Sequence, residues 1–229
     1  MTDLLILDCD GVLVDSERLS AEATSRVLAE AGRTVSVDQI LAAYVGMTDA
    51  AMWTQVARDW DIVVDDGHRA RHDHYLEALF TTSLRPVCDE VHAVLGALGL
   101  PMCVASNSGH DRLRMTLGTT GLAPLFVGRI FSAEDVARGK PAPDLILHAA
   151  ATMNVDPRDC LFVDDSVAGV TAGVAAGVTT IGFCGGTHGG TDHAERLMRA
   201  GAVGTVTNFH EIAALVGRAG AFTTEEHPR

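Results

Sequence analysis

Two aspartates, Asp8 and Asp10, stand two apart at the end of an apolar run, and Gly11 follows them. In an extended strand residues i and i+2 face the same side, so both carboxylates point one way. Three further signals come later in the chain. Ser106-Asn107-Ser108 follows the apolar segment 101–105, Lys140 stands in Gly139-Lys140-Pro141-Ala142-Pro143-Asp144, and Asp164-Asp165-Ser166 ends the apolar run from Cys160. Each lies at the carboxyl edge of a predicted strand or in a loop before a helix. The set holds four carboxylates, one hydroxyl and one ammonium. Carboxylates packed together away from water are costly unless something positive joins them. Hard oxygen ligands suit Mg²⁺, which takes a few carboxylates, keeps waters and accepts phosphate oxygens. A carboxylate beside a metal and a lysine can attack phosphorus and form an aspartyl phosphate. A simple acidic turn or helix cap is the other reading of Asp-x-Asp-Gly, and the buried strand before it argues against that.

The elements that must hold these groups follow from hydrophobic period. Short apolar runs recur at residues 4–7, 102–105, 127–131, 161–163, 178–183 and 203–206, with helical patterns between them, as at 89–98 and 143–153. Near-continuous apolar strands alternating with helices predict a Rossmann-like, doubly wound α/β fold with a parallel sheet. Ligands in such folds bind outside the carboxyl ends of the strands. Residues 15–85 break the alternation, with only a weak strand signal at Ile62-Val63-Val64. Leu19, Ala23, Val27 and Ala31 repeat every four residues before Gly32, Ser36 and Gln39 have the capping-box spacing, Met52, Val56 and Trp60 form a stripe, and His72, Leu76, Leu79 and Phe80 line a last helix. The expected organisation is an α/β core of residues 1–14 and 86–229, with a helical insert at 15–85. Asp15-Ser16 and the segment 83–86 would be its two hinges.

The full motif set resembles the haloacid dehalogenase-like superfamily. Asp8-Cys9-Asp10-Gly11-Val12-Leu13-Val14-Asp15-Ser16-Glu17, then Ser106-Asn107, then Gly139-Lys140-Pro141-Ala142-Pro143-Asp144, then Val163-Asp164-Asp165-Ser166 match its four motifs in order. The helical insert matches the family's small α-helical cap, in the style of the beta-phosphoglucomutase-like branch. By this resemblance Asp8 is the nucleophile and Asp10 the general acid/base, whose backbone carbonyl also meets the metal. Ser106 binds phosphate with the Asn107 backbone N–H beside it. Lys140 bridges the nucleophile and the transferring phosphoryl group, Asp165 is a direct metal carboxylate, and Asp164 is its neighbouring ligand or water-holder. Asp10 should hold a proton near neutral pH for part of the cycle, and nearby like charge would raise its pKa.

Departures from named branches narrow the expectation. Asp10 is absent from the superfamily's dehalogenases, and the insert has no lysine for phosphonatase chemistry. The mutase has a histidine in the first cap helix and an arginine in the cap loop. Ser20 and the uncharged loop Gly46-Met47-Thr48-Asp49-Ala50 stand there in this chain. Hydrolysis of sugar or sugar-acid monophosphates is therefore preferred to hexose-phosphate mutase chemistry or to a non-catalytic metabolite-binding module. Segments such as Pro101-Met102-Cys103-Val104-Ala105-Ser106-Asn107 look like a bacterial 6-phosphogluconate phosphatase subgroup. Gly46 is the expected cap residue at the substrate. Trp53 or Tyr44 could stack on a sugar, against the plainer reading of packing within the cap.

Composition excludes other classes. Thirty acidic against seventeen basic residues give a net charge of −13. That disfavours nucleic acid and anionic lipid as partners. No apolar run approaches membrane-spanning length. The N-terminus carries Asp3 where a secretory signal is basic. Five scattered cysteines without a CxxC read as reduced thiols in a cytoplasmic protein, monomeric or weakly dimeric. His68 and His72 have the spacing of a zinc pair but no third ligand, so a solvated helix face is the preferred reading. Gly169, Gly173 and Gly177 read as a helix packed closely on the sheet, and residues 184–190 as a loop at the site's rim.

Overall fold

Leu4–Leu7 carries four consecutive apolar side chains and forms β1, the centre of a six-stranded parallel sheet. The chain is described by a computed structural model at residues 2–44, 47, 49–186 and 192–217. β1 is followed by α1 (Glu17–Glu30), α2 (Val37–Tyr44), α3 (Asp49–Asp59), α4 (Asp66–Ser83) and α5 (Val91–Ala97). Then come β2 (Met102–Ser106), α6 (His110–Thr119), β3 (Ile130–Ser132), α7 (Asp144–Thr152), β4 (Cys160–Asp164) and α8 (Val167–Ala175). β5 (Thr179–Phe183), α9 (His193–Arg199), β6 (Gly204–Val206) and α10 (Phe209–Gly217) complete it. The strand order is β3-β2-β1-β4-β5-β6. It reverses at β1, which pairs with β2 through Ile6 and Cys103 and with β4 through Ile6 and Phe162.

The period of two sends alternate side chains of β1 to opposite layers. Leu5 and Leu7 pack with Val104, Val163, Leu113 of α6, Leu95 of α5 and Ile212 of α10. Leu4 and Ile6 pack with Cys103, Phe162, Ile146 of α7 and Ala172 of α8. Both faces of the sheet are covered, as an all-parallel sheet requires.

The helices of residues 17–83 build a smaller core, in which Val27, Leu28, Ile40, Tyr44, Met52, Trp53 and Val56 meet. The Ser36–Gln39 capping box is formed, each residue bonding the other's backbone N–H. The chain leaves and re-enters the sheet through two paired segments. Val14 bridges Pro86, the Asp15 N–H donates to the Arg85 carbonyl at 3.2 Å, and the Val87 N–H donates to Leu13 at 3.0 Å.

Several expectations are corrected. Residues 127–131 are not one strand. Val127 is 74% exposed and Gly128 turns the chain at φ 70°, so β3 begins only at Ile130. Ile62-Val63-Val64 forms no strand, because the chain turns at Asp61 (φ 48°) and leaves Val63 in solvent. His72 is not on a solvated face. It is buried edge-on against Trp53, ring centroids 5.4 Å apart, while His68 closes the α4 capping box with Asp65. The five cysteines are free thiols. No helix among the described residues is long and apolar enough to cross a membrane.

Candidate active site

Asp8 directly follows β1, Ser106 ends β2, and Asp164 ends β4. The three neighbouring strands around the reversal of strand order therefore deliver their polar termini to one edge, where the fold class places ligands. Gly11 makes the turn after the two aspartates possible. Its φ of 79° is strained for any residue with a Cβ, and its N–H donates to the Val14 carbonyl at 2.8 Å. A solvent-open cavity of about 750 Å³ lies over this edge, walled by Asp8, Asp10, Ser106, Lys140 and Asp165 from the sheet side. Ser20, Thr24, Tyr44 and Met52 wall it from the helical insert.

Lys140 is buried between two carboxylates. Its Nζ lies 2.9 Å from Asp8 Oδ1 and donates to Asp164 Oδ2 at 2.7 Å, with the Phe162 ring centroid 5.3 Å away. Burial works against its charge, but Asp164 and Asp8 outweigh that and hold its pKa above the ordinary lysine range. Asp8 is pushed well above the ordinary carboxylate range, first by burial, opposed by Lys140, and further by Asp164, Asp165 and Asp10. The Lys140 loop is fixed by Asn107, whose amide donates to the Lys140 carbonyl at 3.0 Å and accepts from the Lys140 N–H at 2.8 Å. Asn107 thus holds the ammonium's backbone with its side chain, and lines the cavity. The Ser106 hydroxyl, almost wholly buried, accepts from the Ser108 N–H at 3.2 Å.

Asp8, Asp164 and Asp165 each bring an oxygen within 4.8 Å of the others, all three buried. Asp8 Oδ1 receives no hydrogen bond of good geometry. One ammonium among three buried carboxylates leaves net negative charge in the interior, and oxygen donors of this kind fit a hard divalent cation. The carboxylate of Asp10 is not in that group. Asp164 is held in place: its Oδ1 accepts from the Ser166 N–H at 2.8 Å and hydroxyl at 2.7 Å, and its Oδ2 takes Lys140, which leaves acceptor capacity on Oδ2. The Asp165 carbonyl lies 2.6 Å from His193 Nε2.

Asp10 departs from expectation. It accepts from the Ser16 hydroxyl, from Ser108 Oγ at 2.7 Å, and from Arg112 Nη2 at 3.4 Å. Burial pushes its pKa up, but the Arg112 guanidinium, these two hydroxyls and Lys140 outweigh it, so its carboxyl sits below the ordinary range. Ser16, Ser108, Arg112 and His193 are contacts that motif reading missed. Arg112 left one trace: a cation in the first turn of α6, where the helix dipole favours acids.

Gly46 lies outside the described residues, as do residues 187–190 of the rim loop. Trp53 does not stack over the cavity; it is 2% exposed inside the helical core. Tyr44 lines the cavity, but its hydroxyl is tied up, donating to Asp59 Oδ2 and accepting from Trp60 Nε1, both at 2.9 Å.

The close packing of α8 gives a local test. A Cβ on Gly169 would stand 1.9 Å from the Asp164 carboxylate, which Ser166 and Lys140 hold in place. Gly169→Ala is expected to lower stability by about 1–3 kcal/mol in denaturant unfolding. Gly96→Ala, in open space within α5, should be neutral or stabilising by up to about 1 kcal/mol.

The haloacid dehalogenase-like hydrolase family model matches residues 2–177. The 6-phosphogluconate phosphatase of Escherichia coli K12 is 32% identical over 188 residues, covering 81% of this chain and 84% of its own length. Among solved structures, a haloacid dehalogenase-like protein of unknown function from Agrobacterium tumefaciens superposes with a TM-score of 0.82 at 37% identity, covering 95% of this chain and 98% of that one. A family hydrolase from Deinococcus radiodurans, with bound phosphate and sodium, gives 0.78 at 32% identity, covering 96% of each chain. A buried lysine between carboxylates at the reversal point of the sheet and a family match over residues 2–177 agree: the chain belongs to the haloacid dehalogenase-like hydrolases.

Proposed function

We propose that this chain is a Mg²⁺-dependent phosphatase that hydrolyses sugar or sugar-acid monophosphates through an aspartyl phosphate on Asp8. The observation that carries the reading is the Lys140 ammonium set 2.9 Å from Asp8 Oδ1 at the mouth of the central strand. A carboxylate there has a cation beside it to receive charge from the phosphoryl oxygens. The 6-phosphogluconate phosphatase relative supports the substrate class. Residues 15–85 act as the substrate-facing cap on the core formed by 1–14 and 86–229.

In the first step an Asp8 oxygen attacks phosphorus, and the bond to the leaving alkoxide breaks as Asp10 gives it a proton. In the second, Asp10 takes a proton from water, which attacks the aspartyl phosphate and frees inorganic phosphate and Asp8. Ser106 and the Asn107 backbone bind phosphoryl oxygens, and Lys140 holds them against the nucleophile. The acid step needs Asp10 protonated and the base step needs it ionised, so one carboxyl serves both half-reactions. Asp8, Asp164 and Asp165, with the Asp10 carbonyl, would hold Mg²⁺, which adds positive charge at the transferring group. The free thiols support a reducing, cytoplasmic setting.

Phosphate release should be screened over 6-phosphogluconate, hexose 6-phosphates, fructose 1-phosphate and 2-phosphoglycolate with Mg²⁺. Turnover of at least one is expected, with loss on chelation and recovery on adding Mg²⁺. Turnover that survives chelation unchanged, or none across the panel, would overturn the reading.

A further inference from the structure

Arg112 is a cation that none of the steps above uses. It enters the cavity from the first turn of α6, with its side chain 14% exposed and its guanidinium 5.6 Å from the Phe80 ring centroid. A guanidinium has five N–H donors. Among the described residues this one makes a single long hydrogen bond, to Asp10 at 3.4 Å. Its Nη1 stands 3.6 Å from Asp49 Oδ1, beyond hydrogen-bond length, and its Nε is buried without a partner. Asp49 opens α3 of the helical insert and is 61% exposed, so that ion pair is screened by water and weak. Arg112 therefore spans core and insert with most of its donor capacity unused, on the wall of the same cavity that holds Asp8 and Lys140.

We propose that Arg112 is the receptor for a second anionic group on the substrate, a carboxylate distant from the phosphate, and that the substrates are accordingly sugar-acid phosphates. The proposal rests on the phosphatase reading and narrows it. Lys140 stands beside Asp8 and serves the phosphoryl group, which leaves Arg112 as the other cation lining the cavity among the described residues. The planar fork of a guanidinium matches a carboxylate through two parallel N–H bonds. Charge selects a carboxylate over a second phosphate. Asp10, Asp49 and Glu17 are the carboxylates whose charge acts on Arg112, and a dianion beside it would meet three carboxylates against one cation. A substrate carboxylate replaces Asp49 like for like, exchanging a loose contact for a paired one. A neutral hydroxyl in that place leaves the guanidinium as unsatisfied as it is now.

The test compares two substrates with the same carbon chain, 6-phosphogluconate and sorbitol 6-phosphate, which differ only in carboxylate against hydroxymethyl. Phenyl phosphate, which has no distal group, reports the chemistry alone. The wild-type enzyme should favour the acid by about 100-fold in kcat/KM. Arg112→Gln should bring that ratio to within a few-fold of one, the acid losing chiefly through KM. Arg112→Lys, a point charge without the fork, should restore part of it. A wild-type ratio near one overturns the proposal without needing a variant. Equal loss on both substrates in Arg112→Gln overturns it too, leaving Arg112 a positioning residue for Asp10. Failure to hydrolyse even phenyl phosphate with Mg²⁺ present would instead sink the phosphatase reading, and this proposal with it.

Discussion

Asp8→Asn should lose turnover of phenyl phosphate by about 10⁴-fold or more, because removal of a nucleophile leaves only the residual effect of binding and charge. The amide keeps the shape of the side chain but cannot form the acyl phosphate. The fold should survive, since Lys140 retains Asp164 at 2.7 Å. The pH dependence of stability gives an independent reading. Burial, opposed by Lys140 and joined by three neighbouring carboxylates, raises Asp8 in the folded chain above its unfolded value. A raised carboxyl contributes stability that is fully present below the unfolded pKa and lost as pH rises through the folded one. The wild type therefore carries a cost at neutral pH that Asn removes. In metal-free protein Asp8→Asn should melt higher than wild type at pH 7, and the gap should shrink toward acid. Turnover above a tenth of wild type would place the nucleophile elsewhere.

Lys140→Arg keeps the charge and should still lower turnover by about 10²- to 10³-fold. The ammonium is a point charge reaching Asp8 and Asp164 at once, with 3% of its side chain exposed and the Phe162 ring beside it. A guanidinium is planar and broader, and its fork suits one carboxylate, not two converging on one nitrogen. Overpacking should also cost about 1–3 kcal/mol of stability. Lys140→Met should cost more, about 3–5 kcal/mol, because it leaves Asp8 and Asp164 buried without their cation. Kinetics at saturating Mg²⁺ and denaturant melts separate the two effects. Near wild-type turnover in Lys140→Arg would make the chain's only lysine incidental.

The carboxylates were legible because each is tied to a strand end by local sequence, Asp8 after Leu4–Leu7 and Asp164 as the last residue of β4, and Lys140 was legible from its own segment Gly139-Lys140-Pro141-Ala142-Pro143-Asp144. The sheet was legible for the same reason, since runs such as Leu4–Leu7 are buried on both faces and read as continuous apolar segments. What stayed hidden depends on contacts between distant segments. Ser16 and Ser108 lie six and 98 residues from Asp10, and nothing in their neighbourhood announces that their hydroxyls meet one carboxylate. That meeting, with Arg112, inverts the expected direction of the Asp10 pKa. Like charge was visible along the chain, but the cation that outweighs it was 102 residues away. His72 was misread because period alone does not say what lies opposite a helix face, and Trp53 fills that place.

The central place of β1 has a further consequence for synthesis. Its hydrogen-bonding partners begin at Met102 on one side and Cys160 on the other. When Leu4–Leu7 leaves the ribosome, neither neighbour exists. The apolar run must wait while about 100 residues are made for its first neighbour and about 150 for its second, at about 5–20 residues per second. The helices of residues 17–83 are mostly local in their contacts and can form during that wait, whereas the sheet closes late through long-range pairing. Nascent chains halted before residue 160 should hold helical structure but expose β1, making them the species a chaperone would bind.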